Sequence, residues 1–201
     1  MLAKALTADL RQAGHLVFHE QMPQGQEPDH VVIASPDPGK VDRPDGGSVD
    51  SELARIIDET ETMLHDFLGK LQSAGRRLMR HEGGQIWVLT HESSMRYYMP
   101  EYMPGGDTLN RAKQAAVKSM AKEFMRFGIR VNCANVQTLA EHHSSADWLA
   151  GRGGLKAYAM RFVANPASAV ASTLHAFMRQ PDLPFSGVVL PVGIGLQENN
   201  L

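Results

Sequence analysis

The chain has 201 residues, 43% hydrophobic and 21% charged, with 20 basic against 22 acidic side chains and a formal net charge of −2. That length holds one α/β domain with its own core and is short for two, and the near-neutral balance without a Lys/Arg run removes the counterion-release term on which nucleic-acid binders depend. No apolar stretch approaches the ~20 residues that span a bilayer, and the start is polar and amphipathic rather than signal-like, so a cytoplasmic protein with no membrane or nucleic-acid partner is expected.

In chain order, residues 2–13 place Leu2, Leu6 and Leu10 on one helical stripe that stops at Gly14. Residues 15–19 (HLVFH) form a short apolar run suited to a buried strand, and residues 30–34 (HVVIA) are a β-branched strand ended by a Pro- and Gly-rich turn. Residues 36 to about 50 have little to bury and are expected to form a mobile surface loop. From residue 51 to about 79, Leu53, Ile56, Ile57, Met63, Leu64, Phe67, Leu68, Leu71, Ala74 and Leu78 recur three and four apart. At ~1.5 Å per residue this helix is roughly 40 Å long and crosses a whole domain face. Gly83-Gly84 introduces a buried strand over residues 85–90 (QIWVLT), and residues 111–127 form a second amphipathic helix. Gly128 opens the strand IRVNCA, where the chain's single cysteine, Cys133, reads as an inert small hydrophobe. Asn165 is expected to cap a further helix with Pro166 at its first position, and residues 187–192 form the last strand. Short apolar strands alternating with helices predict an α/β fold in one domain over residues 1–201, a mostly parallel sheet of about five strands with helices on both faces.

Gly128-Ile-Arg-Val-Asn132, preceded by Ala121-Lys-Glu123, resembles the short-chain dehydrogenase/reductase family, whose sixth strand carries GIRVN after an A-x-E helix end. Other segments fall in the family's order. Residues 83–90 are similar to the fifth strand, residues 51–80 to the long fourth helix, residues 165–193 to the closing helix and strand, and residues 4–18 to the first helix and second strand. The resemblance covers about four fifths of the chain and is nearest to 3-oxoacyl-carrier-protein reductases. It implies a truncated Rossmann-like fold, with a glycine-rich turn that cradles the pyrophosphate of a nicotinamide cofactor and a catalytic Ser, Tyr and Lys.

The sequence departs from that pattern where the chemistry sits. It contains neither GxxxGxG nor Tyr-x-x-x-Lys. Aligned without gaps, Gly106 stands at the tyrosine and Asn110 at the lysine; anchored on Lys113, Leu109 stands at the tyrosine. The serine position falls on His91, with Ser93 and Ser94 just beyond. His91, Ser93, Leu109 and Lys113 are therefore read as vestigial positions, Lys113 as a surface helix lysine, and no catalytic residue, cofactor or metal is expected. Tyr97, Tyr98 and Tyr102 lie in a Met-rich loop suited to contacting a partner or its substrate. Glu141-His142-His143 lacks a third, distant ligand and reads as a solvated loop.

In the family, oligomers form through the fourth and fifth helices and through the last helix and strand, the segments whose periodicity is intact here. The resemblance thus implies a non-catalytic subunit that assembles with and stabilises an active ketoreductase of 3-oxoacyl carrier-protein or CoA substrates, in fatty-acid or polyketide-type synthesis. Leu64, Phe67, Leu71, Met120 and Phe124 are the expected interface residues, and a homo-oligomer is the other assembly open to it. The alternative is a cofactor-independent dehydratase or cyclase using His91, Glu92 or a loop tyrosine.

Overall fold

The computed structural model describes residues 2–18, 26, 28–34, 48–80, 83–91, 106–136, 139–141 and 165–192. The elements run α1 (Leu2–Gln12), β1 (His30–Ala34), α2 (Val49–Arg80), β2 (Gly84–His91), α3 (Gly106–Phe124), a 3-10 turn (Met125–Phe127), β3 (Ile129–Val136), α4 (Ala167–Met178) and β4 (Val189–Val192). The four strands are all parallel and lie in chain order, β1-β2-β3-β4. Residues 15–18 take no part in the sheet, and Leu16 is 79% exposed. The expected strand at 15–19 is therefore corrected over its described part, and among the described residues the sheet has four strands rather than about five. An apolar run becomes a strand only when an edge accepts its hydrogen bonds; here Gly14, at φ 87°, turns the chain out of α1 and His15 goes to a side-chain contact instead.

Alternation along β2 and β3 builds two cores. Trp87, Leu89, Ala134 and Val136 point to one face and pack with Leu2 and Leu6 of α1 and Val170 and Leu174 of α4. Ile86, Val88, Val131 and Cys133 point to the other and pack with Phe67, Leu71 and Leu78 of α2 and Val117 and Phe124 of α3. Burial on both faces is what parallel strands require, and it explains why these segments read as unbroken apolar runs. The helices after β1 and β2 cover one face and the helix after β3 covers the other, while the strands keep advancing in one direction. The last crossover therefore has the opposite hand to the two before it, an uncommon arrangement. Its ends are fastened locally: Leu139 bridges to Asn165, and both carboxylate oxygens of Glu141 accept the Ala167 N–H at 2.9 Å. Glu141 thus caps α4. Pro166 is the N-cap, with an extended ψ of 144°, so helix begins one residue later than expected.

The start of α2 lies before residue 51. The Ser48 hydroxyl accepts the Ser51 N–H at 3.2 Å, a local cap that starts the helix at Val49 and shortens the expected loop; residues 36–47 lie outside the described residues. Among the described residues no helix is long and apolar enough to cross a membrane. At ~1.5 Å per residue the 32 residues of α2 extend about 48 Å. All its buried side chains come from Phe67 onward.

This division corrects part of the expected interface. Phe67, Leu71 and Phe124 are buried in the chain's own second core, with Leu64 and Met120 packed against it. The 3.6-residue repeat is satisfied by the sheet over the second half of α2. Toward the start of the helix Leu53 and Ile57 are 55% and 57% exposed.

The α2–α3 approach depends on a glycine. The Phe124 ring lies over Gly75, and a Cβ placed there falls 2.6 Å from Phe124 Cε2. Gly75→Ala should therefore lower stability, although an alanine in an open helix favours it by ~1 kcal/mol. Phe124→Leu in the same chain should recover part of the loss, read as urea midpoints. An increase in stability for Gly75→Ala alone would mean that the helices do not meet as described.

Candidate functional site

In open parallel sheets, ligands bind beyond the carboxyl ends of the strands. Here β2 ends at Thr90-His91, β3 ends at Asn135-Val136, and the first turns of α3 carry Asn110, Lys113 and Gln114 across from them. Thr90 is fully buried; its hydroxyl donates to Asn135 Oδ1 at 3.0 Å and lies 3.3 Å from Cys133 Sγ. The Gln114 amide approaches the same hydroxyl at 3.5 Å. Asn110 Nδ2 donates to the backbone carbonyl of His91 at 2.8 Å, pinning α3 to the end of β2. These contacts explain why polar side chains sit inside apolar runs: a buried donor or acceptor left unpaired costs ~1–3 kcal/mol.

Lys113 is not on the surface. It is 4% exposed, with its ammonium 5.6 Å from the centroid of the Phe67 ring. Burial holds it below the usual lysine range, against the opposing pull of Asp66. The expectation of a solvated helix lysine failed because its position on α3 faces the packed seam with α2. Burial also pushes the Cys133 thiol up to about 11, with the Thr90 contact and Lys113 opposing. A fully buried thiol with that shift stays protonated at neutral pH and is no nucleophile.

Of the other sequence-derived positions, Leu109 is buried, Gly106 opens α3, and His91 is half-buried at the strand end, contributing its carbonyl. The structure brings His91 and Asn110 together and sends Lys113 toward Phe67. Ser93, Tyr97, Tyr98 and Tyr102, with Glu92, His142 and His143, lie outside the described residues. Among the described residues, no group of three His, Cys, Asp or Glu could hold a metal ion. Thr90, Gln114 and Asn135 were missed by sequence reasoning. Their one signal was polarity at the end of a strand or on a helix whose neighbours are apolar.

A nicotinamide cofactor would sit at this end, held in the family by the lysine and tyrosine that Tyr-x-x-x-Lys supplies. The described side chains at these positions do not fit it. The side chain at the lysine position, Asn110, is committed to the His91 carbonyl, and the nearby cation, Lys113, is enclosed against Phe67.

No protein-family model matches the chain, and no curated protein sequence matches it. Solved structures do. It superposes on acetoin dehydrogenase YohF from Salmonella typhimurium with a TM-score of 0.57 and 19% identity, over 96% of this chain and 69% of that one. For YwfH, an NADPH-dependent reductase involved in bacilysin biosynthesis, the TM-score is 0.59 at 15% identity, over 96% and 72%. For FabI from Candidatus Liberibacter asiaticus it is 0.55 at 20% identity, over 83% and 64%. The fold is that of the short-chain dehydrogenases/reductases. The chain spans about two thirds of the length of these structures. Its four parallel strands and its helices are the part of that Rossmann-like fold they share.

The buried thiol gives a direct test of this short-chain-reductase-like end. Cys133 should react with a disulfide reagent only after unfolding. An unfolded thiol ionises from its ordinary value of 9.0, while the folded one holds its proton to about 11. Stability should therefore fall as pH rises through that window, because the unfolded state gains an ionisation denied to the native one. Cys133→Ala should flatten the alkaline loss in urea titrations; stoichiometric labelling of the native chain at neutral pH would place the thiol elsewhere.

Proposed function

We propose that the chain is a non-catalytic short-chain-reductase-like subunit that assembles with and stabilises an active ketoreductase, one acting on 3-oxoacyl carrier-protein or CoA substrates. One observation carries this reading: the side chains at the positions of the fold's chemistry are spent on internal contacts. Asn110 braces the end of β2, Leu109 is buried, and Lys113 is enclosed against Phe67. A proton donor must reach its substrate, and none of these three does so.

The surface assigned to the partner moves to the first half of α2. Leu53 and Ile57 stay exposed there, beside Arg55, which bridges Glu52 at 2.7 Å and Glu59 at 2.5 Å. An apolar stripe flanked by charged pairs on a helix that outruns its own core is suited to packing against another helix. Burying such a stripe contributes ~25 cal/mol per Å². The names of the superposed proteins, among them an NADPH-dependent reductase and FabI, suit a reductase as the partner.

The test is co-expression with an intact short-chain reductase encoded beside this chain. A stable complex should form in which Leu53→Asp or Ile57→Asp dissociates the subunits while the circular dichroism of the separated chain is unchanged. His91→Ala should leave the reductase rate of the complex within about twofold, whereas loss of a true general acid costs ~10²- to 10⁴-fold. Titration of the isolated chain with NADH or NADPH should give no heat. A hundredfold loss of rate for His91→Ala in an intact complex, or micromolar cofactor binding by the chain alone, would overturn the reading.

A further inference from the structure

At the amino end of the sheet, α1 and α4 are joined by a chain of titratable side chains that takes no part in the site above. Asp9 Oδ2 lies 2.7 Å from His175 Nδ1, and His175 Nε2 lies 3.1 Å from His15 Nε2, with the two rings edge to face. Asp9 Oδ1 accepts the Ser172 hydroxyl at 3.1 Å, fixing the carboxylate. His175 is 8% exposed, while His15 is open to solvent. His15 begins the segment 15–18, whose remaining described ties are the His15 N–H to the Leu10 carbonyl at 3.0 Å and a 3.5 Å contact from Arg11 to the Val17 carbonyl.

Proton counting limits what this chain tolerates. With His175 Nδ1–H donating to Asp9, its Nε2 lone pair accepts from His15 Nε2–H. If His175 gains a proton, it donates at both nitrogens, and His15 answers as the Nδ1–H tautomer with its Nε2 accepting. One added proton therefore keeps both hydrogen bonds. A second puts N–H on both facing nitrogens, and the contact becomes a clash between two cations.

We propose that the Asp9–His175–His15 chain is a proton-counting latch that holds residues 15–18 to α4 and releases them on acidification, when both imidazoles are charged. The titratable and charged groups around it are Asp9 and Arg11 on α1, Arg179 just past the end of α4, and Asp29 and His30 at the start of β1. His30 adds to the direction. Burial holds its imidazole below the ordinary range, Asp29 opposes, and His15 pushes the same way as burial. His15 and His30 thus stand close enough for their charges to oppose one another. Released, residues 15–18 would carry Leu16 and Phe18, already exposed, away from the α1–α4 seam.

The experiment is amide hydrogen exchange of the full chain, corrected for intrinsic rates, with side-chain nitrogen NMR of the histidines. Imidazoles change charge between about pH 5 and 8, so the peptide covering residues 10–18 should lose protection about tenfold or more across that range. The peptides of β2 and β3 should keep theirs. His15→Gln, which keeps a side-chain donor and acceptor but takes no proton, should hold protection level across the range; His30→Gln should leave the loss in place. The nitrogen shifts should show His175 donating from Nδ1 at neutral pH. Protection in wild type that does not change with pH, an equal loss in His15→Gln, or abolition of the loss by His30→Gln would each overturn the latch.

Discussion

Two parallel strands that must be dry on both faces govern this molecule. β2 and β3 pair along eight residues, and each alternates apolar side chains to opposite sides. Neither face can be left to water, so two helical layers are obligatory: α1 with α4 on one side, α2 with α3 on the other. Everything else adjusts to that demand. Gly84, at φ 136° and against the Asp29 carbonyl, lets β2 lie close to the start of β1, and Gly128, at φ 71°, turns the chain from the 3-10 turn into β3. Gly75 gives up its side chain so that the Phe124 ring can close the second layer.

The same demand decides the character of the carboxyl end. In an enzyme of this fold, the residues above β2 and β3 must be presented to a substrate. Here Thr90, Asn110, Gln114 and Asn135 are buried and bond to one another or to the backbone. A satisfied buried network rigidifies the strand ends. Toward the start of α2, Leu53 and Ile57 stay exposed.

A different balance operates at the opposite end, where Asp9, His175 and His15 join helices that close the first core. Polar ties of this kind contribute little to the core itself, since burial of Leu2, Leu6, Val170 and Leu174 already holds the layer. Their effect falls on the segment beyond α1, which has no core side chain of its own to anchor it among the described residues. A small change in proton occupancy can therefore decide its place while leaving the sheet untouched.

Much of the fold was legible in the sequence because periodicity is a local signal. The 3.6-residue repeat placed α1, α2 and α3, apolar runs placed β1 to β4, and GIRVN with its preceding helix pointed to the right architecture. The inert Cys133 also followed from its strand. Tertiary structure alone decided which side of each repeat was covered, and by what. The stripe on α2 is continuous in sequence, yet its second half meets the sheet and its first half does not, which moved Phe67, Leu71 and Phe124 into the core. Lys113 reads as a surface residue until α2 closes over it. The run at 15–18 reads as a strand until no edge receives it, and Asp9, His15 and His175 come together across 160 residues or more of chain. Local propensity is set within a few residues, but burial and hydrogen-bond partnership are properties of what the fold brings alongside, and no spacing along the chain encodes them.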